Sequence, residues 1–336
     1  MESKKVIITG TAGFIGYHLT NRLCQEGFEV VGIDNLNDYY DVELKHDRLS
    51  QLEKHSNFNF FKKDLSDKEA IFKIFKEESP KVVINLAAQA GVRYSIENPD
   101  AYVESNLIGF MNILEACRHF PVEHLLYASS SSVYGGNDKV PFSTNDNVDH
   151  PVSLYAATKK SNELLAHSYS HLYKIPTTGL RFFTVYGPYG RPDMAYYSFT
   201  KNIIEGNEIE IYNNGQMRRD FTYIDDIVES IVRLIDIVPE KNDEWNQAEI
   251  SSSFAPYKIY NIGNNQPETL IDFIGFIEKH TGIEGNKKFV GMQNGDVVQT
   301  YADISDLVDK IKYTPSTSLD DGLFKFVEWY KEYYKK

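Results

Sequence analysis

Cysteine is almost absent from this chain: there are two in 336 residues, Cys24 and Cys117. Both fall in apolar patterns with helical spacing, so they read as free buried thiols rather than a disulfide. A reducing, cytoplasmic compartment is expected from that. Positive charge is also scarce. Lys plus Arg number 35 against 48 for Asp plus Glu, a formal net charge of −13 with a pI near 5.2. That balance argues against a general nucleic-acid or anionic-membrane binder. Any anionic ligand must be held locally, by helix N-termini and a few placed arginines. No uncharged stretch approaches the ~20 apolar residues of a membrane span. Lys4-Lys5 before Val6-Ile7-Ile8 loosely mimics a signal peptide, but the apolar run breaks at Thr9-Gly10, so a first β-strand is expected there. Internal repeats and low-complexity tracts are missing too. His167 and His171, four apart on a helical pattern, have no third ligand nearby and no intervening glutamate. They read as a solvated face, and no metal is expected.

What is present is an ordinary globular composition, 42% hydrophobic and 25% charged. The length suggests two domains, or one large α/β unit with an appendage. Strand-like runs at Val6–Thr9, Glu29–Asp34, Phe58–Lys63, Lys81–Ala87 and His124–Ser129 alternate with helical patterns at Phe14–Glu26, Ala70–Glu78 and Tyr102–His119. A further helix is expected over Leu154–Tyr173 and a strand over Thr177–Phe183. The alternation implies an α/β fold: a Rossmann-type, doubly wound parallel sheet. Gly187-Pro188-Tyr189-Gly190-Arg191-Pro192 is a turn-rich break. Shorter elements follow, with a polar loop at Pro239–Ala255, a strand at Lys258–Ile262 and a helical C-terminus from about Asp320. The expected division is residues 1–183 for a nucleotide-binding domain and 184–336 for a smaller mixed α/β substrate domain. The boundary is soft, because the chain can cross back.

Gly10-Thr11-Ala12-Gly13-Phe14-Ile15-Gly16 directly follows the first strand and opens a helix. Glycines let the backbone turn tightly and approach a pyrophosphate, and the helix N-terminus supplies free N–H groups. By themselves the glycines also fit a plain βα turn. Asp34 closes the second strand, where a carboxylate accepts hydrogen bonds from an adenosine ribose and repels a 2′-phosphate, so NAD is favoured over NADP. Asp64, at the end of the third strand, reads equally as an adenine contact or a helix cap.

Tyr155 and Lys159 lie one helical turn apart and share a face. The spacing alone is weak, since Tyr197 and Lys201 repeat it. Context favours the first pair: it opens a long helix after the serine run Ser129-Ser130-Ser131-Ser132, which ends the fifth strand at the carboxyl edge of the sheet. A phenol of pKa ~10 is a poor base at neutral pH. A nearby ammonium and a positive nicotinamide would lower it, and a serine hydroxyl would relay the proton.

The glycine motif, Asp34, Asn106, the serine run and Tyr155/Lys159 together resemble the extended short-chain dehydrogenase/reductase family, over essentially the whole chain. Leu86-Ala87-Ala88-Gln89-Ala90-Gly91-Val92-Arg93, Arg181-Phe182-Phe183-Thr184-Val185-Tyr186-Gly187 and Arg219-Asp220-Phe221-Thr222-Tyr223-Ile224-Asp225-Asp226 look most like its UDP-glucuronate 4-epimerase subgroup. The resemblance implies an isomerase with a tightly held NAD that shuttles one hydride through a transient 4-keto sugar. It implies Ser130, Tyr155 and Lys159 as catalytic residues. It implies Gly10, Gly13, Phe14, Ile15, Gly16, Asp34, Asn35, Asp64, Leu65, Leu86, Ala87, Ala88 and Asn106 around the cofactor. Arg93, Ser130, Ser131, Ser132, Thr184, Arg191 and Arg219 would face a UDP-sugar, and a homodimer would pair through the long helices. Thr184, and Gln293 in place of an arginine nearby, depart from the neutral-hexose epimerases. Ser131-Ser132 replaces the Asp-Glu pair of the dehydratases, and Ser132 replaces the glutamate of the uronate decarboxylases. These departures favour UDP-glucuronate 4-epimerisation to UDP-galacturonate over neutral UDP-hexose epimerisation or UDP-uronate decarboxylation.

Overall fold

The computed structural model describes residues 4–292 and 298–335. Seven strands form one sheet in the order Tyr257–Ile262, Thr177–Phe182, His124–Ser130, Val82–Asn85, Lys5–Thr9, Glu29–Asp34, Phe58–Lys62. Every neighbouring pair is parallel. The chain winds outward from Lys5–Thr9 to Phe58–Lys62, then returns to the middle and winds the other way. The reversal lies between Lys5–Thr9 and Val82–Asn85. It opens a crevice at the carboxyl ends of those strands, where open α/β sheets bind ligands.

Helices cover both faces for a reason visible in the first strand. Val6 and Ile8 belong to one apolar cluster and Ile7 to another. Successive strand side chains point to opposite faces, so a continuously apolar strand must be covered twice. Leu19 and Leu23 of the Phe14–Gln25 helix and Ile227 and Ile231 of the Ile224–Ile235 helix fill one side. Ile71 and Phe75 of Lys68–Glu78, Phe110 and Ile113 of Gly109–His119, and Ala166 of Leu154–Tyr173 fill the other.

The expected strands and most helices appear close to their sequence bounds, and several departures have physical causes. The Tyr102–His119 pattern is not one regular helix: a π-helical segment, Val103–Ile108, precedes an α-helix at Gly109–His119. A helix at Val42–Leu52 was not legible in the sequence, because its inward face buries Lys45 and Arg48 among Leu44, Leu49 and Leu52 and so breaks the apolar period. The division at residue 184 is crossed, since Tyr257–Ile262 returns to pair with Thr177–Phe182 in the large sheet. The C-terminal half adds a three-stranded sheet, Pro267–Thr269 against Arg218–Tyr223 against Thr184–Tyr186, and a parallel pair of Asn286–Phe289 with Glu208–Ile211.

His167 is half-buried and packed rather than solvated, whereas His171 stays exposed, as expected. His167 Nε2 lies 2.9 Å from Ser253 Oγ, and both rings stand edge-on to Phe254 of the polar loop. Among the described residues, no helix is long and apolar enough to cross a membrane.

Candidate active site

The first strand runs into Gly10, whose φ of 76° is left-handed. A Cβ there would lie 2.8 Å from the Ala87 backbone nitrogen, and one on Gly16 would lie 2.0 Å from the Gly10 carbonyl oxygen. Only glycine lets the loop press against the neighbouring strand end and lets the helix start against the loop. The Phe14–Gln25 helix opens with no side-chain cap and no acidic residue in its first turn. Its first N–H groups and the positive end of its dipole are thus available to an anion.

Asp34 stands across from this loop. Its Oδ2 accepts from the Ala12 N–H at 3.1 Å and its Oδ1 from the Leu36 N–H at 2.9 Å. Burial pushes its carboxyl up, against the pull of these donors and of Lys45 and Arg48. Asp64 behaves oppositely. Burial raises its carboxyl, but hydrogen bonds from Asn35 Nδ2 at 2.7 Å and from the Ser66 N–H and hydroxyl at 2.8 Å outweigh it and hold it below the usual range. With Phe14, Ile15, Leu65, Leu86, Ala87 and Ala88 lining the same cleft, this donor and acceptor set fits a dinucleotide: phosphates at the helix N-terminus, a ribose at Asp34.

The cleft, about 460 Å³, continues past Ser130, Ser131, Ser132, Tyr155, Lys159, Thr184, Arg191 and Arg219. Ser153 Oγ accepts from the Ala156 N–H at 3.1 Å, starting the Leu154–Tyr173 helix so that Tyr155 falls in its first turn. Lys159 Nζ donates to the Ala128 carbonyl at 2.9 Å and stands 5.9 Å from the centre of the Tyr155 ring. Burial pulls the Lys159 ammonium down to about 8. Burial pushes the Tyr155 phenol up, and it is the Ser130 hydroxyl and the Arg191 cation that oppose this. Among the protein's own groups burial outweighs those that lower the phenol, and the Lys159 ammonium is directed at the Ala128 carbonyl. Ser130 Oγ accepts from the Ser132 N–H at 3.2 Å and from the Ser132 hydroxyl at 2.9 Å.

Arg191 forks onto Asp193, with Nε–Oδ1 3.0 Å and Nη2–Oδ2 2.6 Å, and the Tyr39 hydroxyl reaches the same carboxylate at 3.2 Å. Arg219 Nη1 donates to the Arg218 carbonyl at 2.9 Å and the Val298 carbonyl at 3.2 Å. Two expectations are corrected. Arg93 is exposed and lies outside the cleft lining, 5.4 Å over the Tyr212 ring. Asn106 does not line the cleft: it is 2% exposed, accepting from the Gln89 N–H at 2.8 Å and donating to the Gln89 carbonyl at 3.0 Å and Thr158 Oγ1 at 3.1 Å. It braces the cleft wall from behind. Gln293 lies outside the described residues. Sequence reasoning missed Tyr39, Lys45 and Asp193, which also shape the site. Asp41 before the Val42–Leu52 helix, accepting from the Glu43 N–H at 3.0 Å, is the capping signal that would have placed Lys45.

The comparisons agree with this geometry. A family model described as the NAD dependent epimerase/dehydratase family matches residues 6–263. The chain is similar to Protein CapI of Staphylococcus aureus, 58% identical over 99% of this chain and 100% of the relative. It is also similar to a probable UDP-glucuronate 4-epimerase of Rhizobium meliloti, 48% identical over 99% of this chain and 98% of the relative. Among solved structures it resembles the UDP-glucuronic acid 4-epimerase of Bacillus cereus in complex with UDP-glucuronic acid and NAD, at 34% identity and a TM-score of 0.88 over 98% of this chain and 100% of that one. A parallel sheet wound both ways, a glycine loop facing an acid, and Tyr155 and Lys159 beside the serine run thus converge with the similarity: the chain belongs to the NAD dependent epimerase/dehydratase family.

Proposed function

We propose that this protein interconverts UDP-glucuronate and UDP-galacturonate by 4-epimerisation with bound NAD. The observation that carries the reading is one continuous cleft. It runs from the glycine loop and Asp34 through Ser130, Tyr155 and Lys159 to a cluster of neutral hydroxyls, Ser131, Ser132 and Thr184. Gly10, Gly13, Gly16 and Asp34 hold the cofactor, and Lys159 orients its nicotinamide ribose. The chemistry that NAD supplies when bound is reversible oxidation at the sugar C4, through a transient 4-keto sugar reduced again on its other face. Tyr155 takes the proton from the 4-hydroxyl oxygen and later returns one, with Ser130 bridging the two hydroxyls. Arg191 and Arg219 hold the diphosphate, since guanidinium forks match phosphate oxygens. The hydroxyls hold the uronate carboxylate without adding a titrating acid.

Residues 1–183 form the cofactor half and 184–336 the UDP-sugar half, with Tyr257–Ile262 returned to the cofactor sheet. Val103, Ile108, Met111, Leu164 and Leu172 are exposed on helices that pack together and support pairing of two copies. The buried free thiols of Cys24 and Cys117 support a reducing, cytoplasmic setting. Incubation with UDP-glucuronate, followed by NMR of the sugar, tests the reading. UDP-galacturonate is expected without net NADH. A UDP-pentose with carbon dioxide, or no conversion, would refute it. Sedimentation of the purified protein tests the pairing, and a monomer at micromolar concentration overturns it.

A further inference from the structure

Arg48 is fully buried, at 0% exposure, on the inward face of the Val42–Leu52 helix. Removing a guanidinium from water is strongly unfavourable unless its donors are met. Among the described residues, the acceptors hydrogen-bonded to it are neutral: one carbonyl in the glycine loop, a hydroxyl just ahead of its own helix, and two carbonyls of the turn before Arg191. Nη1 donates to the Ala12 carbonyl and to the Tyr40 hydroxyl, both at 2.7 Å. Nη2 donates to the carbonyls of Tyr189 at 2.7 Å and Gly190 at 3.3 Å. Nε has no partner.

Ala12 lies in the glycine loop and gives its own N–H to Asp34. Tyr189 and Gly190 immediately precede Arg191. The same turn is gripped a second time: His18 Nε2 lies 2.8 Å from the Pro188 carbonyl. Because a carbonyl only accepts, that nitrogen carries the hydrogen. On the far side, the Arg191 N–H donates to Tyr196 Oη at 3.1 Å. The turn is thus clamped from the cofactor half, and one rigid planar fork spans both loops.

We propose that Arg48 is a positioning residue that makes NAD and UDP-sugar binding interdependent, by tying the loop that faces the dinucleotide to the turn that presents Arg191. This rests on the function proposed above. Ordering Ala12 at one end of the fork orders Gly190, and hence Arg191, at the other. Linkage requires the converse, with equal magnitude. A lysine in its place brings one compact charge and cannot bond both loops in a fixed plane.

The test is calorimetric titration of UDP into the full-length protein, once loaded with NAD and once stripped of it. Wild type is expected to bind UDP at least ~5-fold more tightly when loaded, the lower end of ordinary coupling between sites. Arg48→Lys and Arg48→Gln are expected to bring that ratio close to one. A merely structural Arg48 would weaken UDP binding in both forms and leave the ratio standing, which overturns the proposal. A wild-type ratio of one overturns it with no variant at all, so the proposal stays testable even where a variant fails to fold. Failure of UDP to bind any form of the wild type would instead overturn the UDP-sugar reading. As a reciprocal readout, saturating UDP should slow loss of NAD from wild type during gel filtration, and not from Arg48→Lys.

Discussion

Glu163 and Arg181 meet in a fork beneath the reacting end of the cleft, with Nε–Oε1 at 2.8 Å and Nη2–Oε2 at 3.0 Å. Exposure is 2% for Glu163 and 0% for Arg181. Glu163 lies on the helix that carries Tyr155 and Lys159, and Arg181 on the strand beside the one ending at Ser130. Ser129 Oγ adds a bond to Glu163 Oε1 at 2.7 Å, and Arg181 Nη1 one to Tyr134 Oη at 3.1 Å. The network fixes the helix bearing the base against the strand bearing the serines. Removing one member of a buried pair leaves an uncompensated charge, so Glu163→Gln should lower stability by about 3–5 kcal/mol in urea unfolding. A loss under ~1 kcal/mol would show that the pair does not hold this junction.

Tyr155→Phe removes the proton acceptor and keeps the ring that stands edge-on to Tyr102, 6.1 Å between centres. Turnover should fall at least ~10²-fold with the fold intact. Tyr197→Phe is the control. Tyr197 sits in an aromatic cluster with Phe326, Trp329, Tyr330 and Tyr334 and does not line the cleft, so its turnover should stay near wild type. Equal losses at the two tyrosines would discredit Tyr155 as the base.

Asp34→Ala should weaken NAD binding and relax the selection against NADP, because the ribose acceptor and the charge that repels a 2′-phosphate go together. Since Asp34 also receives the Ala12 and Leu36 N–H groups, the variant should lose part of its copurifying NAD. Fluorescence titration with NADH and NADPH measures the ratio, and an unchanged ratio rules out the ribose role.

Oxidising C4 of a hexuronate leaves a ketone β to the carboxylate on C5. Such an acid loses carbon dioxide when the C5–C6 bond stands perpendicular to the carbonyl plane. Hydrogen bonds to a charged acceptor contribute roughly 1.5–3 kcal/mol each. Losing two from the clamp should shift partition toward decarboxylation by orders of magnitude. The Thr184→Val, Ser132→Ala double variant should therefore release a UDP-4-keto-pentose and strand NADH on the enzyme, seen by its absorbance. Ser132→Ala alone is the control, because the Ser132 hydroxyl also bonds Ser130. A clean epimer product with unchanged uronate affinity would remove these hydroxyls from the clamp.

Acid stability should depend on His124. It is buried between the Ile235 carbonyl at 3.1 Å and Thr178 Oγ1 at 2.8 Å, and burial holds it down to about 4 from an ordinary 6.5. Between those values the unfolded chain binds a proton that the folded chain refuses. Stability therefore falls as pH drops from 6.5 toward 4, by at most about 1.4 kcal/mol per pH unit from this one group. His124→Gln should flatten the slope of unfolding free energy against pH by that amount. An identical slope in both proteins would show that His124 is not the linked group.

Much of this molecule is written locally. Alternating strand and helix signals mark out the first six strands of the large sheet along the chain, because each apolar run and each cap is formed by neighbours in the chain. The glycine loop, Asp34 at a strand end, and Tyr155 and Lys159 one turn apart behind Ser153 follow for the same reason. What only tertiary structure decided involves partners distant in sequence. Tyr257–Ile262 finds its edge position beside Thr177–Phe182 through pairing that no local pattern encodes. Asn106 faces inward to Gln89 and Thr158 from a π-helical turn, which a 3.6-residue period does not reveal. Arg93 reads as a candidate ligand group in its motif, yet the chain carries it out of the cleft to Tyr212. Lys45 and Arg48 carry no local signal that marks them as buried. They are buried because the carbonyls of Asn37, Ala12, Tyr189 and Gly190 converge on them once the two halves close. A charged side chain goes inside only where acceptors from elsewhere in the fold replace its water, and which acceptors those are is a property of the assembled molecule rather than of any segment of it.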